Sequence, residues 1–194
     1  VTDYCADVLG DANAAQDLKK LVVDMLHYGA AAQLYFGYNT ENLANAGLEA
    51  AEAIQLPEAP ATVASGKVSG IAYYGASLLY QSRVAVRFYF DVTGDIEGYT
   101  FSTENGKTYA PVAKDDRYYV DVPGINPQDY DKNITLTVSD GSDSLNVSYS
   151  PVTYIVRKSV SGSESLKALV AAMYGYNVAA EAYLSANGHV STDG

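Results

Sequence analysis

The stretch Asp17–Phe36, DLKKLVVDMLHYGAAAQLYF, occurs a second time at Ser165–Leu184 as SLKALVAAMYGYNVAAEAYL. The offset is 148 residues without a gap, and nine of the twenty positions are identical. The identical pairs are Leu18/Leu166, Lys19/Lys167, Leu21/Leu169, Val22/Val170, Met25/Met173, Tyr28/Tyr176, Ala31/Ala179, Ala32/Ala180 and Tyr35/Tyr183. Their spacing places them on one face of an α-helix, so the repeat predicts two related amphipathic helices. We place them at about residues 14–36 and 163–186.

Residues beside the two copies indicate where each helix begins and ends. The pairs with capping-box spacing are Asn13 with Gln16 and Ser161 with Glu164. Gly37 and Gly188 follow the last periodic residues, where a positive φ angle ends many helices.

A further segment precedes each long helix. Thr2–Leu9 lies before the first copy and Pro151–Lys158 before the second. Each can form a short helix that leads through a turn into the long one, which predicts a helical hairpin at each end of the chain. The alternation of Val152, Tyr154 and Val156 also fits a strand, so both structures stay open for the second segment.

The middle of the chain, from about residue 65 to residue 149, has the two-residue period of β-strands. It is rich in Tyr, Val, Thr and Phe, and Asn-Gly and Asp-Gly turns separate its apolar runs. The predicted strands are Ile71–Tyr74, Ser77–Gln81, Ala85–Val92, Tyr99–Ser102, Thr108–Ala113, Arg117–Val122, Ile134–Ser139 and Ser144–Ser150. Short strands at this spacing are typical of an antiparallel sandwich.

The predicted fold class is therefore α+β: an antiparallel Ig-like β-sandwich flanked by two homologous helical segments that pack together or on the sheet. The predicted segments are an N-terminal helical segment at 1–56, the β-sandwich at 57–150 and a C-terminal helical segment at 151–194. The repeat fits either a tandem array or a pseudo-symmetric pair of helices that closes one domain. We favour one compact body, because an isolated helix of this length would leave Leu and Tyr exposed.

Composition excludes several classes of protein. The chain has 194 residues, 12 Lys and Arg against 23 Asp and Glu, and a net charge of −11. An acidic chain without a basic run is a poor partner for nucleic acid or an anionic membrane, and no apolar run is long enough to cross a bilayer. Two His, one Cys and no Trp exclude a Cys-rich zinc site and a disulfide framework.

The tyrosines are the first candidate binding residues, because the chain has 18 Tyr against four Phe. The adjacent pairs Tyr73/Tyr74 and Tyr118/Tyr119 point to opposite faces of a strand, so one of each pair is expected in the core and the other on the surface. A surface row of Tyr can stack on sugar rings or bind protein. Arg87 can hold a ligand carboxylate, although an ion pair with a sheet Asp is favoured by the acidic excess.

Calcium is the one cofactor that the sequence leaves open. Asp140 and Asp143 in one predicted turn, and Asp129 and Asp131 in another, bring together the oxygen donors that Ca²⁺ prefers. Neither segment matches an EF-hand loop, and Asp residues in turns commonly serve the geometry of the turn itself.

No motif for catalysis is present. The sequence lacks a nucleophile elbow, a phosphate loop and a dinucleotide fingerprint. His27 and His189 are the only imidazoles, and Cys5 has no local signature of a nucleophile. A pair of carboxylates for glycoside hydrolysis stays open on numbers alone, but the Trp platforms common at such sites are missing.

The pattern of the repeat at Leu18–Tyr35 and Leu166–Tyr183 resembles a segment of large secreted proteins of gut Clostridia such as Ruminococcus and Eubacterium relatives. So do Tyr74–Leu79 and Val86–Phe90. In those proteins the segments stand beside Ig-like, leucine-rich or dockerin-type modules. The resemblance implies an extracellular, modular protein with an adhesive or scaffolding role, and it brings no site residues with it.

We therefore expect a non-catalytic module of a bacterial secreted or cell-surface protein, a piece of a longer chain, that serves adhesion, scaffolding or spacing. Its expected partners are neighbouring modules of the same polypeptide and a glycan or a surface protein. The first alternative is a carbohydrate-binding module that uses surface Tyr. The second alternative, from another class, is a carboxylate-dependent glycoside hydrolase.

Overall fold

The computed structural model describes residues 2–81 and 83–188. The helices are α1 (Thr2–Gly10), α2 (Gln16–Phe36), α3 (Pro151–Ser161) and α4 (Glu164–Asn187). The strands are β1 (Val63–Gly66), β2 (Ile71–Leu79), β3 (Val84–Val92), β4 (Thr100–Thr103), β5 (Val112–Lys114), β6 (Arg117–Ile125), β7 (Ile134–Ser139) and β8 (Ser144–Tyr149). Helices and antiparallel sheets occupy separate stretches of the chain, which confirms the α+β class.

The chain divides into two compact units. The helical unit is built from Val1–Glu58 together with Ile155–Gly194, and the β unit is the continuous segment Ala59–Tyr154. These boundaries lie close to the predicted ones at 56/57 and 150/151. The arrangement of the segments as one compact body stays a prediction.

The repeated sequence forms the two long helices that it predicts, and each begins and ends within two residues of the expected position. A short helix precedes each of them, so the strand alternative for 151–158 is wrong. Gly37 has the expected left-handed conformation at φ 65°, and Gly188 also has a positive φ of 79°.

Both predicted capping boxes are wrong. The cap of α4 is Ser163, whose Oγ accepts the Leu166 N–H at 3.3 Å. Ser161 instead ends α3, where its hydroxyl donates to the Arg157 carbonyl at 2.9 Å. Asn13 lies in a turn held by Asp11, whose carboxylate accepts the Asn13 N–H at 2.8 Å. In both places a competing local hydrogen bond forms instead of the predicted cap: the Ser161 hydroxyl bonds to the end of α3, and the Asn13 backbone bonds to Asp11.

The two copies of the repeat pack on each other. The Asn187 side chain at the end of α4 donates to the Asp17 carboxylate at the start of α2 at 2.7 Å, so the two helices run antiparallel. Midway along them Tyr28 and Tyr176, which are equivalent in the repeat, stack with ring centroids 5.9 Å apart. An antiparallel pair in which equivalent residues meet has local twofold symmetry. A tyrosine kept in both copies therefore lies where the two helices meet, which favours the pseudo-symmetric pair over the tandem array.

The short helix α1 closes a small core with α2. Cys5 and Val8 of α1 are buried against Val22 and Leu26 of α2. Cys5 is a free, buried thiol, which agrees with its interpretation as a small apolar residue.

The Tyr28–Tyr176 stack is expected to make the helical unit sensitive to alkali. Burial, reinforced by the nearby Tyr176, raises the pKa of Tyr28 above its ordinary value of 10.0, and burial also raises the pKa of Tyr176. A group whose pKa is higher in the folded state stabilises the fold below its unfolded pKa and loses that contribution as the pH rises through the folded pKa. Urea unfolding followed by circular dichroism should therefore show stability falling above about pH 10. The Tyr28→Phe, Tyr176→Phe double variant should flatten this fall, and an unchanged profile would contradict the assignment.

The β unit contains two four-stranded sheets in which all neighbouring strands are antiparallel. Their orders are β1-β8-β7-β4 and β2-β3-β6-β5. The rings of Phe90 in β3 and Phe101 in β4, with centroids 5.5 Å apart, join the buried faces of the two sheets. Immunoglobulin domains have the strand orders A-B-E-D and C-F-G, so the Ig-like part of the prediction is not confirmed.

Three details of the strands differ from the prediction. β1 was not predicted, because Val63–Gly66 is short and its small residues show no alternation. Ile71–Tyr74 and Ser77–Gln81 form one strand with an irregular register at Tyr74. Thr108–Ala113 is reduced to β5, since Pro111 lacks the N–H that a continuous ladder needs.

Candidate functional site

The outward faces of the two sheets differ in chemistry. On the β1-β8-β7-β4 sheet, small polar residues alternate with buried Leu136, Val138 and Val147. These residues bond to one another: Thr135 and Ser148 share a hydrogen bond of 2.8 Å, and Thr137 donates to Asn146 at 2.7 Å. Asn146 and Thr137 are paired across β8 and β7, and the same row extends to Ser65 on β1 and to Ser102 on β4. We call this uncharged surface the hydroxyl face.

The outward face of the β2-β3-β6-β5 sheet carries rings and charges instead. Its side chains alternate with the buried Phe88, Phe90, Val120 and Val122 along the two central strands. We call it the tyrosine–arginine face, and it consists of Tyr74, Tyr89, Tyr119, Arg87, Arg117, Asp91 and Asp121. Large amphipathic rings beside charged hydrogen-bonding groups are typical of recognition surfaces, so this face is the candidate site.

The adjacent tyrosine pairs divide between the two faces of the sheet as predicted, but Tyr73 and Tyr118, on the inner side, are only partly buried. Tyr74 and Tyr119 belong to the tyrosine–arginine face. Tyr73 packs edge-on against the buried Phe90 with centroids 6.2 Å apart, and Tyr118 is the strand neighbour of Phe90 on the same side. Tyr73 and Tyr118, also predicted as ligand-binding residues, therefore lie outside this face.

Tyr74 is placed by a β-bulge. The pairing shifts by one residue between Tyr73, which faces Phe90, and Gly75, which faces Tyr89. Tyr74 is the extra residue, and 58% of it is exposed. Bulges commonly re-aim a side chain, and here the bulge adds a ring beside Tyr89 on the outward face. A Cβ built at Gly75 would meet no atom of another segment within 4 Å, so the bulge is not crowded by other elements.

Arg87 serves the sheet itself. Its Nε and one terminal nitrogen donate to the two Asp121 oxygens at 2.7 and 2.8 Å, and its guanidinium carbon lies 3.5 Å from the centre of the Tyr119 ring. The hydrogen bond to Asp121 raises the pKa of Arg87 above its ordinary range. The ion pair with a sheet Asp, one of the two interpretations of Arg87, is the one found. The pair fixes Tyr119, against which Tyr89 packs at 6.3 Å.

Removing the carboxylate of Asp121 is expected to destabilise the β unit. Arg87 and Asp121 are largely shielded, with side-chain exposures of 14% and 29%. In Asp121→Asn the guanidinium keeps its burial but loses a charged partner, which should lower the free energy of unfolding by about 1–3 kcal/mol. The matched control is Asp91→Asn, since Asp91 pairs with Arg117 on the same face but is half exposed. Its expected cost is below about 1 kcal/mol. Equal losses in urea unfolding would contradict the special role of the Arg87 pair.

A groove of about 210 Å³ lies at the Tyr74 end of the face. It is lined by Tyr74, Tyr89, Lys114, Asp115, Asp116 and Arg117. The Arg117 guanidinium carbon lies 3.6 Å from the centre of the Tyr74 ring, Nε donates to Asp91 at 2.9 Å, and a terminal nitrogen lies 3.5 Å from Asp116. The groove thus places an exposed ring next to a fixed set of donors and acceptors.

Sequence reasoning missed Tyr89, Lys114 and Arg117 as parts of this site. The signal was present, because alternation places residues 87, 89 and 91 on one face of β3 and residues 117, 119 and 121 on one face of β6. The sequence pattern does not show that β3 and β6 are neighbours in the sheet.

The predicted calcium ligands take part in local turn contacts. One Asp140 oxygen accepts hydrogen bonds from the backbone N–H groups of Ser142 and Asp143 at 2.9 and 2.8 Å. These bonds lower the pKa of Asp140, and the bond from Asp143 has the larger effect. Asp129 accepts from Lys132 at 2.6 Å. Within residues 2–81 and 83–188, no three or more His, Cys, Asp or Glu residues lie close enough together to hold a metal ion. Asp131, the remaining predicted ligand, therefore belongs to no such group. A calcium site stays a prediction.

His27 and a second cavity of the β unit offer less for binding than the groove at Tyr74. His27 is buried and shares a hydrogen bond of 3.0 Å with Asn45, so it has a structural partner, while His189 lies outside the described residues. A second cavity of the β unit, about 300 Å³, has Tyr109 as its aromatic wall and Glu104 as its charged group. It offers fewer rings and fewer charged donors than the groove at Tyr74.

Comparisons with protein-family models, with curated proteins and with solved structures gave no match for this chain. None of the helices in the described part of the chain is long and apolar enough to cross a membrane. A functional conclusion therefore depends on the geometry of the two units.

Proposed function

We propose that this chain is a non-catalytic adhesive module of a bacterial secreted or cell-surface protein, and that the tyrosine–arginine face is its binding surface. The observation that carries the proposal is the exposed Tyr74 ring, which Arg117 holds over a groove of the β unit. The hydroxyl face of the same unit has no comparable group, so the two outward faces are not equivalent.

The contacts of the face support binding rather than catalysis. Asp91 and Asp116 face the positive guanidinium of Arg117, and Asp121 is held by Arg87 in two hydrogen bonds. Carboxylates that pair with arginines of their own face help to hold the rings beside them, as a binding surface requires. The extracellular location is supported by the resemblance of the repeat and of the β2 and β3 segments to secreted clostridial proteins.

An adhesion assay tests the proposal. The chain is coupled to beads, and its attachment to mucin-coated surfaces and to cultured bacteria is measured in a flow cell. The Tyr74→Ser, Arg117→Ser double variant should reduce attachment by at least about tenfold, because the ring and the group that orients it are both lost. The control variant, Ser102→Ala with Thr137→Ala, alters the hydroxyl face and should attach like the parent chain.

Two results would contradict the proposal. The first is attachment that survives the double variant at Tyr74 and Arg117. The second is attachment that the hydroxyl-face control loses equally. Circular dichroism of both variants establishes that the β unit is still folded.

A further inference from the structure

We propose that the groove beside Tyr74 binds a neutral sugar ring, as one unit of an extracellular glycan. This inference rests on the proposed function and names the ligand of the same face. It is carried by three properties of the groove: an oriented ring, a lining without net charge, and a small volume.

The ring is held in place before any ligand arrives. The Arg117 guanidinium covers one face of the Tyr74 ring, 3.6 Å from the ring centre, and pairs with Asp91 and Asp116, while more than half of Tyr74 stays exposed. One face of a pyranose carries C–H groups that pack on an aromatic ring, as other apolar surfaces do. A side chain already fixed by a cation–π contact loses little conformational freedom when the ligand binds.

The charges of the groove balance. Its lining contains two cations, Lys114 and Arg117, and two anions, Asp115 and Asp116. A charged ligand would have to compete with the Arg117 ion pairs, whereas a hydroxyl group can accept from a cation and donate to a carboxylate without separating them. Lys114 and Asp115 form no ion pair within the described residues, so their polar groups are available at the rim. This set of donors and acceptors suits the hydroxyls of an uncharged sugar.

The volume favours one ring at a time. Pockets for drug-sized ligands have volumes of about 300–1,000 Å³, and this groove, at about 210 Å³, lies below that range. A peptide anchored by several side chains needs a longer apolar floor than the groove at Tyr74 and Tyr89 provides.

The test uses the full chain against an array of neutral and acidic oligosaccharides, followed by titration of the best neutral ligand by isothermal calorimetry. Tyr74→Ala should weaken binding about tenfold through loss of the stacked ring, and Tyr74→Phe should keep most of the affinity. The matched control is Tyr118→Phe, which removes a hydroxyl from the opposite side of the same sheet and should bind like the parent chain.

The same flow-cell surfaces, treated with periodate to destroy vicinal diols, separate the two proposals. Attachment that disappears after periodate, and that the free neutral sugar inhibits, supports the inference. Attachment that survives periodate overturns the inference that the groove binds a sugar, and it leaves an adhesive module whose ligand is a protein. Binding restricted to acidic oligosaccharides and abolished by salt also overturns the neutral class. Absence of attachment to treated and untreated surfaces alike would instead refute the proposed function.

Discussion

Replacing Phe90 by alanine is expected to lower the free energy of unfolding of the β unit by about 3–5 kcal/mol. Phe90 is fully buried and packs against Phe101 of the other sheet and Tyr73 of its own sheet. Truncation removes apolar contacts on both sides and leaves a cavity that neighbouring strands can fill only in part. Urea unfolding, with hydrogen exchange at the amides of β3 and β4, measures the loss in the sheets themselves.

Val112→Ala is the matched control for Phe90→Ala. Val112 also belongs to the β2-β3-β6-β5 sheet, but 45% of it is exposed. Its expected cost is within about 0.5 kcal/mol, as for most surface substitutions. A loss below about 1 kcal/mol in Phe90→Ala would mean that these rings do not join the two sheets.

Met173→Ala is expected to have the largest effect in the helical unit, with a loss of about 2–5 kcal/mol. Met173 lies in the repeated face of α4 and is fully buried. The side chain fills the interior beside Leu169 and Val170, so its removal creates a void where the two copies of the repeat meet. Thermal unfolding followed at a helical wavelength measures the change.

The repeat itself supplies the control for this prediction. Met25 is the counterpart of Met173 in the first copy, but it is only partly buried beside the small core of Cys5 and Val8. Met25→Ala removes the same atoms from a partly exposed site, and its cost should be clearly smaller. Equal losses for Met25 and Met173 would show that the two copies are buried alike, contrary to the structure.

The helical part of the fold could be predicted from the sequence because the information was periodic and present twice. Two helices that keep the same nine side chains on one face need a common partner, and the simplest partner is the other copy. The ends of the helices were harder to predict. Asn13 and Ser161 are residue types that often cap helices. The Asn13 N–H bonds to Asp11 instead, and the Ser161 hydroxyl bonds to the Arg157 carbonyl. Competition between local hydrogen bonds is decided by geometry that spacing does not contain.

The candidate site was predicted only in part. Alternation correctly separated Tyr74 from Tyr73 and Tyr119 from Tyr118, because the side-chain period of a strand is local. The groove depends on the pairing of β2, β3 and β6 and on a bulge that adds one residue. Pairing between strands that are distant in the sequence is a tertiary property, so the contact of Arg117 with Tyr74 could not be predicted from the sequence.

The discontinuous helical unit has a consequence for the order of folding in time. The β unit is one continuous segment, so it can fold as soon as it has been synthesised, whereas α2 must wait for α4 at the far end of the chain. Pairing of β1 with β8 brings the two ends of the β unit together, which replaces a long loop between α2 and α4 by a shorter connection. Until then the side of α2 that meets α4 at Tyr28 is uncovered, and the helices of a second molecule offer it the same complementary surface. Prompt closure of the β unit thus favours pairing within one chain over exchange of helices between chains.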